Sequence, residues 1–258
     1  MAEQAPFTRK TLTFLRALKR NNDREWFQAH RDDYERHVKA PMVLVIERLG
    51  REFRAFAPDL MADPKRSLYR IWRDTRFSAD KRPLKTNAAA VFPHRRGNRH
   101  TSAGFYFEIS DGWVWAGGGV YMPEPPALHR IRTTIAGDYD RFHAVATARP
   151  LRAIGGLHGE TLTRVPRGFQ SDHPAADYLK YKQFLGFQEW PPELMTKAEF
   201  WPALLKTFRA IAPELLRCGR VRPTGEAEIQ TCGSSLVSKT GVMSRHHFAV
   251  TGEGATPR

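Results

Sequence analysis

Apolar residues recur at helical spacing through residues 8–57 and then switch to a two-residue period. Leu12, Leu15 and Leu18 follow Thr8, a residue suited to an N-cap, and Asn21-Asn22 interrupts the pattern. Asn22 with Glu25 forms a capping-box pattern that predicts a second helix with Trp26, Phe27, His30 and Tyr34 on one side. Pro41 opens a third, with Val45, Ile46, Leu49, Phe53 and Phe56 as its buried stripe and Pro58 as its stop.

From Pro64 the texture changes. Ser67 to Phe77 reads as a strand, with Leu68, Arg70, Trp72 and Asp74 on one face and Tyr69, Ile71, Arg73 and Thr75 on the other. Charge on both faces suggests that one of them lines a wet cleft. Ser78 to Lys81 with Pro83 reads as a turn, and Thr86 to Phe92 as a short strand. Gly104 to Tyr121 predicts a hairpin, because Asp111-Gly112 separates two alternating aromatic runs and glycine takes positive φ without steric cost. Helical segments are expected over Leu128–Ile135, Tyr139–Ala148, Ala175–Leu179 and Glu193–Leu216. Thr161–Val165 reads as extended, and Tyr178–Phe187 as a strand with Lys180 and Lys182 on one face. Residues 222–258 turn Gly/Ser/Thr-rich without a period and read as a disordered tail. The order predicts one α+β domain over residues 7–221, with N-terminal helices, a mostly antiparallel sheet built around the Asp-Gly hairpin, and C-terminal helices.

Charge sharpens the picture. The chain of 258 residues carries a formal net charge of +14, and Pro64 to His100 alone holds eleven Lys and Arg against Asp74 and Asp80, or +9. Arginine outnumbers lysine almost three to one, a bias that a GC-rich genome produces without selection, so the clustering says more than the total. A cationic stretch interleaved with Tyr69, Trp72, Phe77 and Phe92 suits an anionic partner. Cys218 and Cys232 are too few for a disulfide framework or a four-cysteine zinc site. Neither a secretory-type N-terminus nor an eighteen-residue apolar run is present, so a cytoplasmic protein without a membrane partner is expected.

With the segments placed, several phrases resemble the bacterial and fungal family called domain of unknown function 2461. They are Asn21–Phe27 (N-N-D-R-E-W-F), Arg70–Thr86 (R-I-W-R-D-T-R-F-S-A-D-K-R-P-L-K-T), Gly104–Ile109 (G-F-Y-F-E-I), Gly117–Pro123 (G-G-G-V-Y-M-P) and Ile131-Arg132. Their order and spacing match, and the resemblance covers roughly residues 7–218. One departure stands out: Leu84 replaces the aromatic residue usual in the family, while Asn87 stands where histidine or asparagine is common. The resemblance implies no activity.

Arg70, Arg73 and Arg76 could cradle an oxyanion, since guanidinium forks grip phosphate or carboxylate oxygens in pairs, or they could form an Arg–Asp network that fixes the segment. Ser78, Asp74 and Asp80 offer a hydroxyl and two carboxylates for catalysis, with Lys81, Lys85 and Thr86 as an anion clamp, and turn capping is the plainer reading for Ser78 and Asp80. The glycines around Gly118 follow a strand and precede a helix without any phosphate-loop consensus, which favours close backbone packing over an anion nest. Ten histidines include no H-E-x-x-H pattern, G-x-S-x-G is absent, and no metal or cofactor is expected.

These observations support an anionic small-molecule site in which Arg132 and the glycine-bearing hairpin back the Arg70–Lys85 segment, with or without chemistry. A nucleic-acid-binding module would use the same basic segment, with Trp72, Phe77 or Tyr106 stacking on bases. Asp74 and Asp80 repel a polyanion and favour the small ligand. The third reading is a purely structural or partner-binding domain.

Overall fold

The N-terminal helices open the computed structural model, which describes residues 4–76, 79–97 and 102–219. Phe77, Ser78 and the expected tail at 222–258 lie outside the described residues. Helix α1 (Arg9–Arg20) buries Leu12, Phe14, Leu15 and Leu18, and α2 (Arg24–Ala29) follows. Asp23, not Asn22, caps α2: its carboxylate accepts from the Trp26 amide at 2.7 Å. Helices α3 (Arg31–Tyr34) and α4 (Ala40–Phe56) are joined by a π-helical turn over Glu35–Lys39, so Pro41 sits inside a helical run instead of opening one. Thr11 ties that turn down by donating to the His37 carbonyl at 2.7 Å.

One turn of helix, α5 (Pro64–Ser67), occupies the start of the expected first strand. Residues 68–76 belong to no strand: isolated bridges, Leu68 to Ala90 and Trp72 to Leu84, connect them, with a bend at Ile71 and a turn at Arg76. The sheet proper comprises β1 (Asn87–Pro93), β2 (Gly104–Ser110), β3 (Val114–Val120) and β4 (Phe184–Trp190), ordered β1-β2-β3-β4 and antiparallel throughout. This is an α+β architecture with helices before and after the sheet.

At the β2–β3 connection Gly112 keeps a negative φ. The Ser110 hydroxyl shapes the turn instead, accepting from the amides of Gly112 and Trp113 at 3.1 Å each. Between β3 and β4 come α6 (Pro125–Gly137), α7 (Tyr139–Ala146), α8 (Arg149–Arg152) and α9 (Ala176–Leu179). The Thr161–Val165 stretch contributes a single bridge, Thr161 to Tyr181, and the expected strand from Tyr178 begins only at Phe184. A 3-10 turn (Pro192–Thr196) leads into α10 (Phe200–Gly219), which lies across β3.

Strand alternation divides the sheet into two faces. The first carries Ala90, Phe92, Phe105, Phe107, Ile109, Val114, Ala116, Val120 and Phe184 into the main core beneath the helices. Its centre is aromatic: the ring of Phe53 lies 5.2 Å from those of Phe92 and Phe105 and 5.7 Å from that of Phe208. The Gly117–Gly119 run serves strand packing, because a Cβ on Gly119 (φ +131°) would meet the Phe184 carbonyl at 1.9 Å.

Candidate functional site

The second face of the sheet is buried too, yet it is polar. Ala89, Val91, Tyr106, Glu108, Ser110, Trp115 and Leu185 point there, outside the main apolar core. Glu108 is 1 % exposed. Its Oε2 accepts from the Tyr106 hydroxyl at 2.5 Å and its Oε1 from the Trp113 indole N–H at 2.8 Å. Burial and the adjacent carboxylate push the Tyr106 phenol well above its ordinary pKa, so it stays protonated and donating. Rings continue the face sideways: Tyr69 lies 6.3 Å from Tyr106, Trp115 5.6 Å from Tyr106, Phe187 5.4 Å from Trp115, and His158 4.5 Å from Phe187. Burial lowers the His158 pKa, favouring its neutral form.

Residues 68–76 and 79–86 form an arm on the β1 side of this face. Its limbs are joined by the Arg73 amide to the Pro83 carbonyl and the Lys85 amide to the Ile71 carbonyl, each at 2.8 Å. The Tyr69 amide docks the arm on Ala89 at 2.9 Å. Asn22 clamps it from the helices: its amide donates to the Leu84 carbonyl and its oxygen accepts from the Leu84 amide, both at 3.0 Å. Trp72 completes the anchorage edge-on to Phe27 at 5.4 Å.

The tip carries the charges. Asp74 accepts from the Arg76 amide, Nε and Nη2 at 3.2, 3.1 and 2.8 Å. Asp80 takes Arg73 Nη1 at 2.5 Å together with Arg82 Nε at 3.0 Å and Nη2 at 2.6 Å, so it bridges the two limbs. The hydrogen bonds from Arg76 hold the Asp74 carboxyl down at about 2, and those from Arg82 hold Asp80 below the usual carboxylate range. Carboxylates so stabilised in ionised form are weak proton acceptors. Lys81 Nζ donates to the Thr75 carbonyl at 3.0 Å. Lys85 Nζ stands 4.9 Å from the centre of the Tyr69 ring, and Thr86 leads into β1.

The structure therefore brings Arg70, Arg73, Arg76, Lys81, Lys85 and Thr86 onto one arm, with Asp74 and Asp80 as its internal anchors. Two other candidates lie elsewhere. Gly118 sits within β3, paired with Phe105 and Gly186, on the core side. Arg132, on α6, donates through Nη2 to the Tyr181 carbonyl at 2.9 Å. Tyr181 lies just past the Val120/Phe184 end of the sheet, whereas the arm joins β1 at the Asn87/Ser110 end. Arg132 and the arm thus flank opposite corners, separated by about 14 Å across the strands and about 20 Å along them.

Sequence reasoning passed over Glu108 and Asn22. Glu108 shares strand parity with Tyr106 and Ser110, and a Tyr-x-Glu-x-Ser stripe inside an otherwise apolar strand is the signal that marks a polar face. Asn22 left no such signal, because its partner Leu84 is 62 residues away. Among the described residues no group of three or more His, Cys, Asp or Glu could hold a metal ion, and no helix is long and apolar enough to cross a membrane.

A family model described as conserved hypothetical protein (DUF2461) matches residues 10–215. The chain belongs to the DUF2461 family. No curated protein matches it. The match to the DUF2461 model spans the arm, the whole sheet and all but the last residues of α10, so both faces of the sheet belong to the family domain.

Proposed function

We propose that this DUF2461 domain binds an anionic small molecule, phosphorylated or carboxylated, between the arm and the polar face of the sheet. The observation that carries this reading is the arm's charge balance. Arg70 to Thr86 holds six cationic side chains against two carboxylates, and both carboxylates are already engaged by Arg73, Arg76 and Arg82. Internal pairing therefore fixes the arm without neutralising it, and a net +4 remains on a segment anchored at both limbs. An anchored cationic surface loses little conformational entropy when it meets an anion, which favours binding over solvation alone. Arg70 and Lys85 supply the contacts, with Tyr69 and the Tyr106–Glu108 pair forming the floor.

The test is a thermal-shift screen of phosphorylated and carboxylated metabolites against wild type, Arg70→Gln and Lys85→Gln. A ligand that binds the folded state raises the melting temperature in proportion to the logarithm of its concentration. At least one anion should stabilise wild type and lose most of its effect in both variants. Identical shifts in all three proteins, or stabilisation only by single-stranded oligonucleotides with a steep salt dependence, would refute the reading.

A further inference from the structure

Arg132 lies on the inward side of α6 and is only 8 % exposed. Its Nη2 donates to a neutral acceptor, the Tyr181 carbonyl, and its buried Nε–H has no acceptor. Among the described residues no carboxylate oxygen comes within 4.0 Å of its guanidinium, while Glu160, beside the Thr161–Tyr181 bridge, and Asp177, four residues before Tyr181, are matched by Lys182 at 3.2 Å and Lys180 at 2.9 Å. Burial lowers the Arg132 pKa, but a guanidinium remains protonated at any pH at which proteins fold. A buried charge without a counter-ion is unfavourable, and folds that retain one generally match it with an anion or a metal-bound group.

We propose that Arg132 is the receptor for a carboxylate-bearing small molecule, bound at the corner of the sheet where β3 ends and β4 begins, and distinct from the site at the arm. The carboxylate accepts from Nε–H and shares the planar edge of the guanidinium in the paired geometry that arginine provides. A single guanidinium matches a monoanion. The lysines of the adjoining segment, Lys180 and Lys182, are committed to their own carboxylates, so a dianionic phosphate would find only half its charge compensated.

The experiment uses the full chain, labelled with nitrogen-15. The Nε–H resonance of Arg132 is assigned by its loss in Arg132→Met and then followed while sodium acetate, benzoate or lactate is titrated at constant ionic strength, with inorganic phosphate in parallel. The resonance should move saturably with at least one carboxylate, and that carboxylate should raise the melting temperature of wild type but not of Arg132→Met. Arg132→Lys, which keeps the charge and loses the fork, should bind about tenfold more weakly; it serves as the test should Arg132→Met fail to fold. A resonance that no carboxylate moves, a response to phosphate alone, or equal affinity in Arg132→Lys would overturn the proposal. Because the readout is local to Arg132, its failure leaves the reading of the arm intact, and the reverse also holds.

Discussion

Replacing Asn22 with alanine isolates what the helices contribute to the arm. The substitution removes two hydrogen bonds of 3.0 Å and leaves both the amide and the carbonyl of Leu84, a residue with 0 % exposure, without those partners. An unsatisfied buried polar group costs about 1–3 kcal/mol. Asn22 itself is half-buried, so water entering the gap would restore part of one bond. A loss of roughly 2–4 kcal/mol follows, equivalent to several degrees of melting temperature in a domain of this size. Urea denaturation of Asn22→Ala should show a lower midpoint with an unchanged slope, and trypsin should cut first among the arginines of the arm. Asn22→Asp keeps the acceptor for the Leu84 amide and loses the donor to its carbonyl, and should fall between the two. A change below about 0.5 kcal/mol, the range of ordinary surface substitutions, together with an unaltered tryptic pattern, would refute the clamp.

Three further outcomes are expected. Asp74 and Asp80 titrate lower in the folded chain than in the unfolded one, so the stability they contribute is fully present above about pH 4 and is lost as pH falls through their folded values; urea midpoints measured from pH 6 to 2 should drop less steeply in Asp74→Asn/Asp80→Asn than in wild type. Phe53→Ala, which removes a ring packed against Phe92, Phe105 and Phe208, should cost about 3–5 kcal/mol by chemical denaturation. Gly119→Ala places a methyl group 1.9 Å from the Phe184 carbonyl at a φ of +131°, and should destabilise by at least about 3 kcal/mol or prevent soluble expression.

Periodicity made the sheet legible where it was strongest. Gly104 to Tyr121 alternates cleanly, and both strands stand there, although the turn is shaped by the Ser110 hydroxyl and not by a positive-φ glycine. Alternation misled at Ser67–Phe77, because Arg73 and Arg76 find their partners within the arm, in Asp80 and Asp74, instead of across a sheet. The cap of α2 shifted by one residue for a related reason: Asn22 and Asp23 are equally good caps locally, and the choice is made by a partner in the arm that no local pattern contains. As for the candidate site, the chemical character of the basic segment could be read from composition. Its geometry could not, since the polar floor depends on which face of β2 is turned away from the helices, and the position of Arg132 depends on how the long β3–β4 connection returns.

That return has a kinetic consequence. Three residues separate β2 from β3, whereas sixty-three separate β3 from β4, its other ladder partner. Closing the longer loop costs roughly 2.5–3 kcal/mol more chain entropy. The three-stranded meander therefore assembles early in folding and the fourth strand zips on last, so any anchorage at the corner where it begins reports on the completed molecule alone.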